Sequence, residues 1–146
     1  MPTAGRLTAA VFFAVLAWYV TEVALAVMPS VYDRPGVPKW NAILAFGTAW
    51  TLFRKVEGTL WNGIVLSLTT AVVSMVLITL CHSAAMTFDA AWRGRTGSLI
   101  NTFEKVFSNM GDMALHLVMS QQTMLTLLVG ALGIGAAASV MERRFS

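Results

Sequence analysis

The chain has 146 residues, of which 57% are hydrophobic and 12% are charged, and its formal net charge is +3. Soluble domains ordinarily contain about 25% charged and about 45–50% apolar residues, so the composition excludes an ordinary water-soluble domain and predicts an integral membrane protein. The basic residues stand singly or in pairs beside apolar segments, which favours lipid headgroups over nucleic acid as partners. The length indicates one transmembrane helical domain over residues 1–146.

The first apolar segment, residues 7–28, would be about 33 Å long as a helix and matches a hydrocarbon core of about 30 Å. We expect it to span the membrane and to end before Pro29. Its one charged residue is Glu22, an intramembrane acid close enough to the helix end for the carboxylate to reach the interface. Pairing with Lys39, proton relay and cation binding are the alternatives.

Two further segments follow. The uninterrupted apolar part of residues 38–56 is short, and its length is typical of a buried or re-entrant segment as well as of a spanning helix. We therefore predict three to four spanning helices. Residues 60–86 have no charge and would be about 40 Å long, which exceeds the bilayer core and predicts tilt or an end that emerges into the headgroups.

Residues 98–119 have apolar side chains at three- and four-residue steps opposite a polar face. This spacing predicts an amphipathic helix that either lies at the membrane surface or caps the bundle, with a kink at Gly111 as one expectation. Residues 123–141 predict the last spanning helix, followed by Glu142, Arg143 and Arg144 as an interfacial stop.

Small residues recur at four-residue spacing in two predicted helices. They are Gly63, Ser67 and Ala71 in the third helix and Ala131, Gly135 and Ser139 in the last. Such rows let two backbones approach closely in lipid, so we expect these helices to pack against each other or against a partner.

Most tryptophans fall near predicted helix ends: Trp18, Trp40, Trp61 and Trp92. This placement is typical of an interfacial belt, and a quinone or pigment contact is the alternative reading for some of them. We expect bound lipid and predict no cofactor, while a pigment or quinone contact stays open.

Cys81 and His82 place two soft ligands near the end of the third helix. One cysteine makes a poor metal site, so we expect a packed or interfacial Cys-His pair, with a ligand role as the alternative. No nucleophile elbow, phosphate loop or paired carboxylate site occurs in the sequence, which favours a non-enzymatic protein without catalytic residues.

The distribution of basic residues between the two sides of the membrane predicts the orientation of the protein. With four spanning helices, Arg6, Arg54, Lys55, Arg143 and Arg144 share one side in short flanks. The opposite side has basic residues diluted by carboxylates, so we expect both termini to be cytoplasmic.

Several short segments resemble one family in the same order along the chain. They are Met1-Pro2-Thr3-Ala4-Gly5-Arg6-Leu7, Asn41-Ala42, Trp61-Asn62-Gly63, Phe103-Glu104 and Thr126-Leu127-Leu128-Val129-Gly130. Together they resemble the TrgA family, small bacterial inner-membrane proteins associated with tellurite resistance. The resemblance implies a multi-pass protein of the bacterial inner (cytoplasmic) membrane.

Two functions fit these observations. The first is a TrgA-like contribution to tellurite resistance, through membrane integrity, oxyanion exclusion or thiol capture at Cys81. The alternative is an accessory subunit of a larger respiratory or photosynthetic membrane complex, which would dock through the small-residue rows and the amphipathic helix. A small transporter or channel is less favoured, because intramembrane polar residues are few.

Overall fold

The computed structural model describes residues 3–27, 36–55, 59–94 and 99–145, and these ranges are helical with no strand. The elements in chain order are α1 (Ala4–Val27), α2 (Val37–Leu52), a 3-10 turn (Phe53–Lys55), α3 (Leu60–Trp92), α4 (Leu99–Met119) and α5 (Gln121–Phe145). Helices α1, α3 and α5 are long and apolar enough to cross a membrane. The predicted fold class, an all-α membrane protein with an additional amphipathic helix, is confirmed.

Two helices extend further than their apolar segments predicted. Helix α3 continues past residue 86 to Trp92 because no glycine or proline interrupts it, and Arg93 Nη2 lies 3.2 Å from the Asp89 carboxylate one turn earlier. Gly94 then takes a left-handed conformation, with a φ of 70°, which commonly ends a helix. Helix α5 likewise continues past residue 141 to Phe145.

The other predicted ends agree closely or cannot be compared. Helix α4 is continuous through Gly111. Residues 28, 56 and 98, at which three of the helices were expected to begin or end, lie outside the described residues.

Helix α2 crosses most of the bundle although it has only 16 residues and a length of about 24 Å. It begins after Gly36, whose φ is 95°, and Pro38 fits its first turn because the nitrogen of a first-turn residue needs no helical partner. Near one end Asn41 contacts Thr21 of α1, and near the other Trp50 contacts Arg6. The helix therefore runs antiparallel to α1 alongside residues 6–21.

Helix α5 also runs antiparallel to α1. The Gly5 amide donates to the Glu142 carboxylate at 3.0 Å, and Gly130 lies against the Leu16 side chain. The start of α1 and the end of α5 therefore lie at the same end of the bundle. The core between the helices is built mainly from alanine: Ala9, Ala10, Ala45, Ala49, Ala131 and Ala138 are almost fully buried, together with Phe13 and Phe53.

Helices α3 and α5 approach most closely where their small residues meet. The Ser67 hydroxyl donates to the Ala131 carbonyl, and the Ser139 hydroxyl lies 3.2 Å from the Thr59 carbonyl. A methyl group added at Gly135 would stand 2.6 Å from the Gly63 carbonyl oxygen. The two backbones are in direct contact, as small-residue rows allow in lipid.

The remaining member of the rows, Ala71, is buried in the core cluster that also contains Ala131. The structure thus brings the row on α3 and the row on α5 together within one chain.

Helix α4 packs against α3 with only one edge of its apolar stripe. Val106 and Met113 are buried there, and the Ser83 hydroxyl of α3 donates to the Val106 carbonyl. Ile100 and Phe107, further round the stripe, are exposed. The amphipathic helix therefore caps one side of α3, reaches the cavity wall with Leu117 and leaves part of its apolar stripe uncovered.

We predict that Gly135→Ala destabilises the protein by about 1–3 kcal/mol, because the new methyl group must displace the Gly63 backbone. Gly133→Ala on the same helix is the control, since an added methyl group there meets no atom within 4 Å. Thermal unfolding in detergent, followed by tryptophan fluorescence, measures both variants. Equal melting temperatures for the two variants would contradict the close contact.

Candidate functional site

A chain of hydrogen bonds crosses the bundle from α3 through α2 to α1. His82 Nε2 lies 2.8 Å from Asn41 Oδ1, and Asn41 Nδ2 donates to the Thr21 hydroxyl at 2.9 Å. The Thr21 hydroxyl in turn donates to the Ala17 carbonyl at 2.6 Å. Because the Asn41 amide nitrogen is the donor to Thr21, its oxygen must accept, so Nε2 of His82 carries the hydrogen.

The three side chains that form this series of hydrogen bonds differ in how deeply they are buried. Asn41 is only 3% exposed and Thr21 is 6% exposed, while His82 is half-buried at the edge of α3. A buried amide without partners would cost about 1–3 kcal/mol, and the two neighbouring helices supply those partners. The arrangement connects three helices at the end of the bundle opposite the chain ends.

A cavity of about 70 Å³ lies beside the hydrogen-bonded chain. Its walls are mostly apolar, with Phe13, Leu16, Met75 and Leu127 from three helices, and its polar lining includes Thr21, Asn41, Ser74 and Thr123. The volume corresponds to about two water molecules at about 30 Å³ each. It is smaller than the cavity of about 150 Å³ that holds benzene in an engineered protein, which disfavours a quinone ring in this space.

Ser74 adds an unusual polar group to the cavity wall. Its side chain is 6% exposed, and its hydroxyl has no hydrogen-bond partner among the described residues. Thr70 and Thr79 on the same helix instead donate to carbonyls one turn earlier, at 2.7 and 2.9 Å. The cavity therefore offers a hydroxyl and a buried amide to a small polar guest.

Cys81 and His82 do not form one site. Cys81 is a free cysteine on the exposed surface of α3, whereas His82 is turned toward Asn41. Successive helical residues point about 100° apart, which is the reason for the divergence. Within the described ranges no group of three or more His, Cys, Asp or Glu side chains could hold a metal ion.

Two charged side chains, Arg6 and Glu142, bind α1 to its neighbours at the end of the bundle where α1 begins. Arg6 Nε donates to the Trp50 carbonyl at 2.6 Å, and its guanidinium lies 4.2 Å from the centre of the Trp50 ring. That carbonyl belongs to the last turn of α2, where the helix provides no partner. Phe46 stacks on the same ring with centroids 5.8 Å apart.

Glu142 was expected in an interfacial stop, but the structure buries it to 7% exposure. Its carboxylate accepts from the Gly5 amide at 3.0 Å, in the first turn of α1. An acidic group is favourable there because amides at a helix start lack helical partners and carry a partial positive charge. Arg143 and Arg144, by contrast, are exposed, as an interfacial position requires.

The other residues singled out from the sequence lie at the bundle surface. Glu22 is exposed on α1 and, among the described residues, forms no ion pair with Lys39. Trp40, Trp61 and Trp92 are exposed near helix ends, whereas Trp18, also expected there, is exposed near the middle of α1. The position of the first three is that of an interfacial belt, while Trp50 is the one held against Arg6.

Sequence reasoning missed Asn41 and Glu142 as groups that connect helices, and it missed Ser74 as a buried polar group in the cavity wall. Asn41 had a visible signal, because a single amide within an apolar segment must find partners once the segment is buried. The signals for Ser74 and Glu142 were weaker. Serine is frequent in membrane helices, and a glutamate beside two arginines has the pattern of an ordinary helix end.

We predict that Asn41→Ala lowers the free energy of unfolding by about 1–3 kcal/mol, because it removes the two hydrogen bonds by which Asn41 joins α2 to α1 and α3. Gln122→Ala, at the exposed start of α5, is the control. Chemical unfolding in detergent, monitored by far-ultraviolet circular dichroism, measures the difference. An Asn41 variant as stable as the control would show that the hydrogen-bonded chain contributes little.

The candidate site thus consists of a hydrogen-bonded chain through three helices, a small cavity beside it and an exposed thiol on the outer face of α3. In comparisons with protein-family models, with curated proteins and with solved structures, nothing matches this chain.

Proposed function

We propose that the protein is a non-enzymatic accessory subunit that docks onto a larger complex in the bacterial inner membrane, respiratory or photosynthetic. The observation that carries the proposal is an apolar surface at one end of the bundle, formed by the end of α3 and by α4. We call this part the α3–α4 hairpin, residues 78–94 and 99–119. Its geometry follows from the register of α3 against α5.

The contact between α3 and α5 places the hairpin beyond the end of α5. Ser67 lies opposite Ala131, and Gly63 lies opposite Gly135. The two helices are therefore antiparallel, and each step forward along α3 corresponds to one step back along α5. The first residue of α5, Gln121, is therefore level with Leu77 of α3. Helix α3 continues from there to Trp92, about 22 Å further along its axis.

The hairpin is held together by polar contacts but covered by little else. Ser83 donates to the Val106 carbonyl, and Asn109 Nδ2 lies 3.4 Å from the Thr87 hydroxyl. The apolar side chains that remain exposed on it include Phe88 and Trp92 on α3, and Ile100, Phe103 and Phe107 on α4. Large exposed apolar patches of this kind mark protein or membrane contact sites.

The small-residue rows do not provide the docking surface in this proposal. Gly63 and Gly135 already contact each other between α3 and α5 of the same chain, so they are not available to a partner. A partner that docks would therefore meet the hairpin, and would contact aromatic side chains of the type that is enriched at protein interfaces.

The positive-inside rule supports an orientation for this arrangement. Arg6, Arg54, Arg143 and Arg144 belong to the end of the bundle that holds both chain ends. The opposite end has Lys39, Arg93 and Lys105 together with carboxylates such as Asp89, Glu104 and Asp112. We therefore propose cytoplasmic termini and a hairpin on the other side of the inner membrane.

The docking proposal predicts that Phe107→Ser lowers recovery of the partner complex at least tenfold when the tagged protein is purified from native membranes in mild detergent. Tyr19→Ser is the matched control, because Tyr19 is 59% exposed on α1 and Phe107 is 66% exposed on α4. Mass spectrometry and an absorption spectrum of the eluate identify the partner. Recovery of the wild-type protein alone would contradict the accessory role.

A second function is favoured by one observation, the exposed thiol of Cys81. The residues that resemble the TrgA family associate the chain with tellurite resistance, and a thiolate is a soft ligand suited to a heavy chalcogen. We propose that, if resistance is direct, it depends on this thiol. Both functions can hold together, because loss of a complex subunit can also lower resistance.

Direct thiol capture predicts that cells with Cys81→Ser lose most of the tellurite resistance that the wild-type protein confers. Ala85→Ser is the matched control, since residue 85 lies one turn further along the same exposed face of α3. Growth across a tellurite series measures both variants, with membrane levels checked by immunoblot. Full resistance of the Cys81 variant would leave only an indirect contribution.

A further inference from the structure

An apolar groove runs along the outer surface between α1 and α5, separate from the cavity and from the α3–α4 hairpin. It is shallow and open to the surroundings, and its walls include Leu7, Val11 and Phe12 of α1 and Ala137, Val140 and Met141 of α5. The small side chain of Ala137 leaves room on the α5 side. The groove lies within the first turns of α1, close to the end of the bundle that holds both chain ends.

An exposed arginine stands at the end of this groove. Ala137, Val140 and Arg144 are separated by three and four residues, so they share one face of α5. Arg144 follows Val140 by one turn, so its backbone lies beyond the apolar walls and its long side chain can reach the headgroup level. Arg6, the nearest basic residue on α1, is engaged with Trp50.

We propose that this groove is a binding site for one anionic phospholipid, with an acyl chain in the groove and the headgroup phosphate at Arg144. Lipid chains are the medium around an exposed face of a spanning helix, and an arginine recognises phosphate through its fork of N–H donors. An uncharged lipid would fill the groove and leave the arginine without a counter-charge. Free phosphate would bind the arginine and leave the groove unused.

The apolar walls by themselves give no preference among lipids, because all phospholipids offer acyl chains. Selectivity must come from the charge, and one basic residue near an anionic membrane surface contributes about fivefold in binding. The site therefore predicts a modest preference for anionic over zwitterionic headgroups that depends on Arg144, and a chain contact that depends on the open space at Ala137.

The test is native mass spectrometry of the purified full-length protein after incubation with equal amounts of phosphatidylglycerol and phosphatidylcholine that have the same acyl chains. We expect the wild-type protein to retain about five times more phosphatidylglycerol. Arg144→Gln should lower phosphatidylglycerol retention to the level of phosphatidylcholine and so abolish that preference, and Arg144→Lys should restore it. Ala137→Leu should lower retention of both lipids at least threefold.

Two controls separate the site from general effects. Lys105→Gln removes the same charge from exposed α4, and Ala85→Leu adds the same bulk to exposed α3, so both should behave as the wild type. Far-ultraviolet circular dichroism confirms that each variant is folded. An undiminished phosphatidylglycerol preference in Arg144→Gln, or equal lipid retention by Ala137→Leu and Ala85→Leu, would overturn the proposal.

Discussion

In a bilayer, apolar side chains gain little by moving from lipid to a neighbouring helix, so helices associate through close backbone packing and buried polar contacts. The contact of Gly63 with Gly135 is the clearest instance in this bundle, because even one methyl group would collide with the opposite backbone. The same principle explains a core made mainly of alanine, including Ala9, Ala45 and Ala138. Small side chains let four helices lie close together.

That contact also decides what the two ends of the molecule present. Once Gly63 is opposite Gly135, helix α3 must continue well past the start of α5, since it has 33 residues and α5 has 25. The overhang gives α4 a helix to pack against and leaves aromatic side chains exposed. The other end carries Arg6 and Arg144, so the proposed docking surface and the proposed lipid site lie at opposite ends of the bundle.

Polar groups connect α1 to both of its neighbours. The Arg6 guanidinium and the Asn41 amide bind α1 to α2, and the Glu142 carboxylate binds it to α5. Each contact supplies a partner to a group that neither lipid nor its own helix would satisfy. In the cavity next to Asn41, the Ser74 hydroxyl has no such partner among the described residues. The bundle is therefore polar in its interior at a few defined points and apolar over most of its surface.

The sequence by itself determined the class of protein and the position of the helices. Long uncharged segments and the small share of charged residues left only a helical membrane fold, because the backbone must satisfy its own hydrogen bonds in lipid. The spacing of small residues also indicated which faces of two helices could approach a neighbour. These properties depend on local composition and on the spacing of residue types, and both can be read directly from a single sequence.

The tertiary structure alone decided which helices those faces meet and which polar groups are buried. Glu142 has the sequence pattern of an interfacial stop, and only the antiparallel contact of α5 with α1 places it at the first turn of α1. Asn41 and His82 are 41 positions apart, so no local pattern could pair them. Such contacts depend on helix register and neighbour choice, which are set by the packing of all the helices together rather than by any one segment.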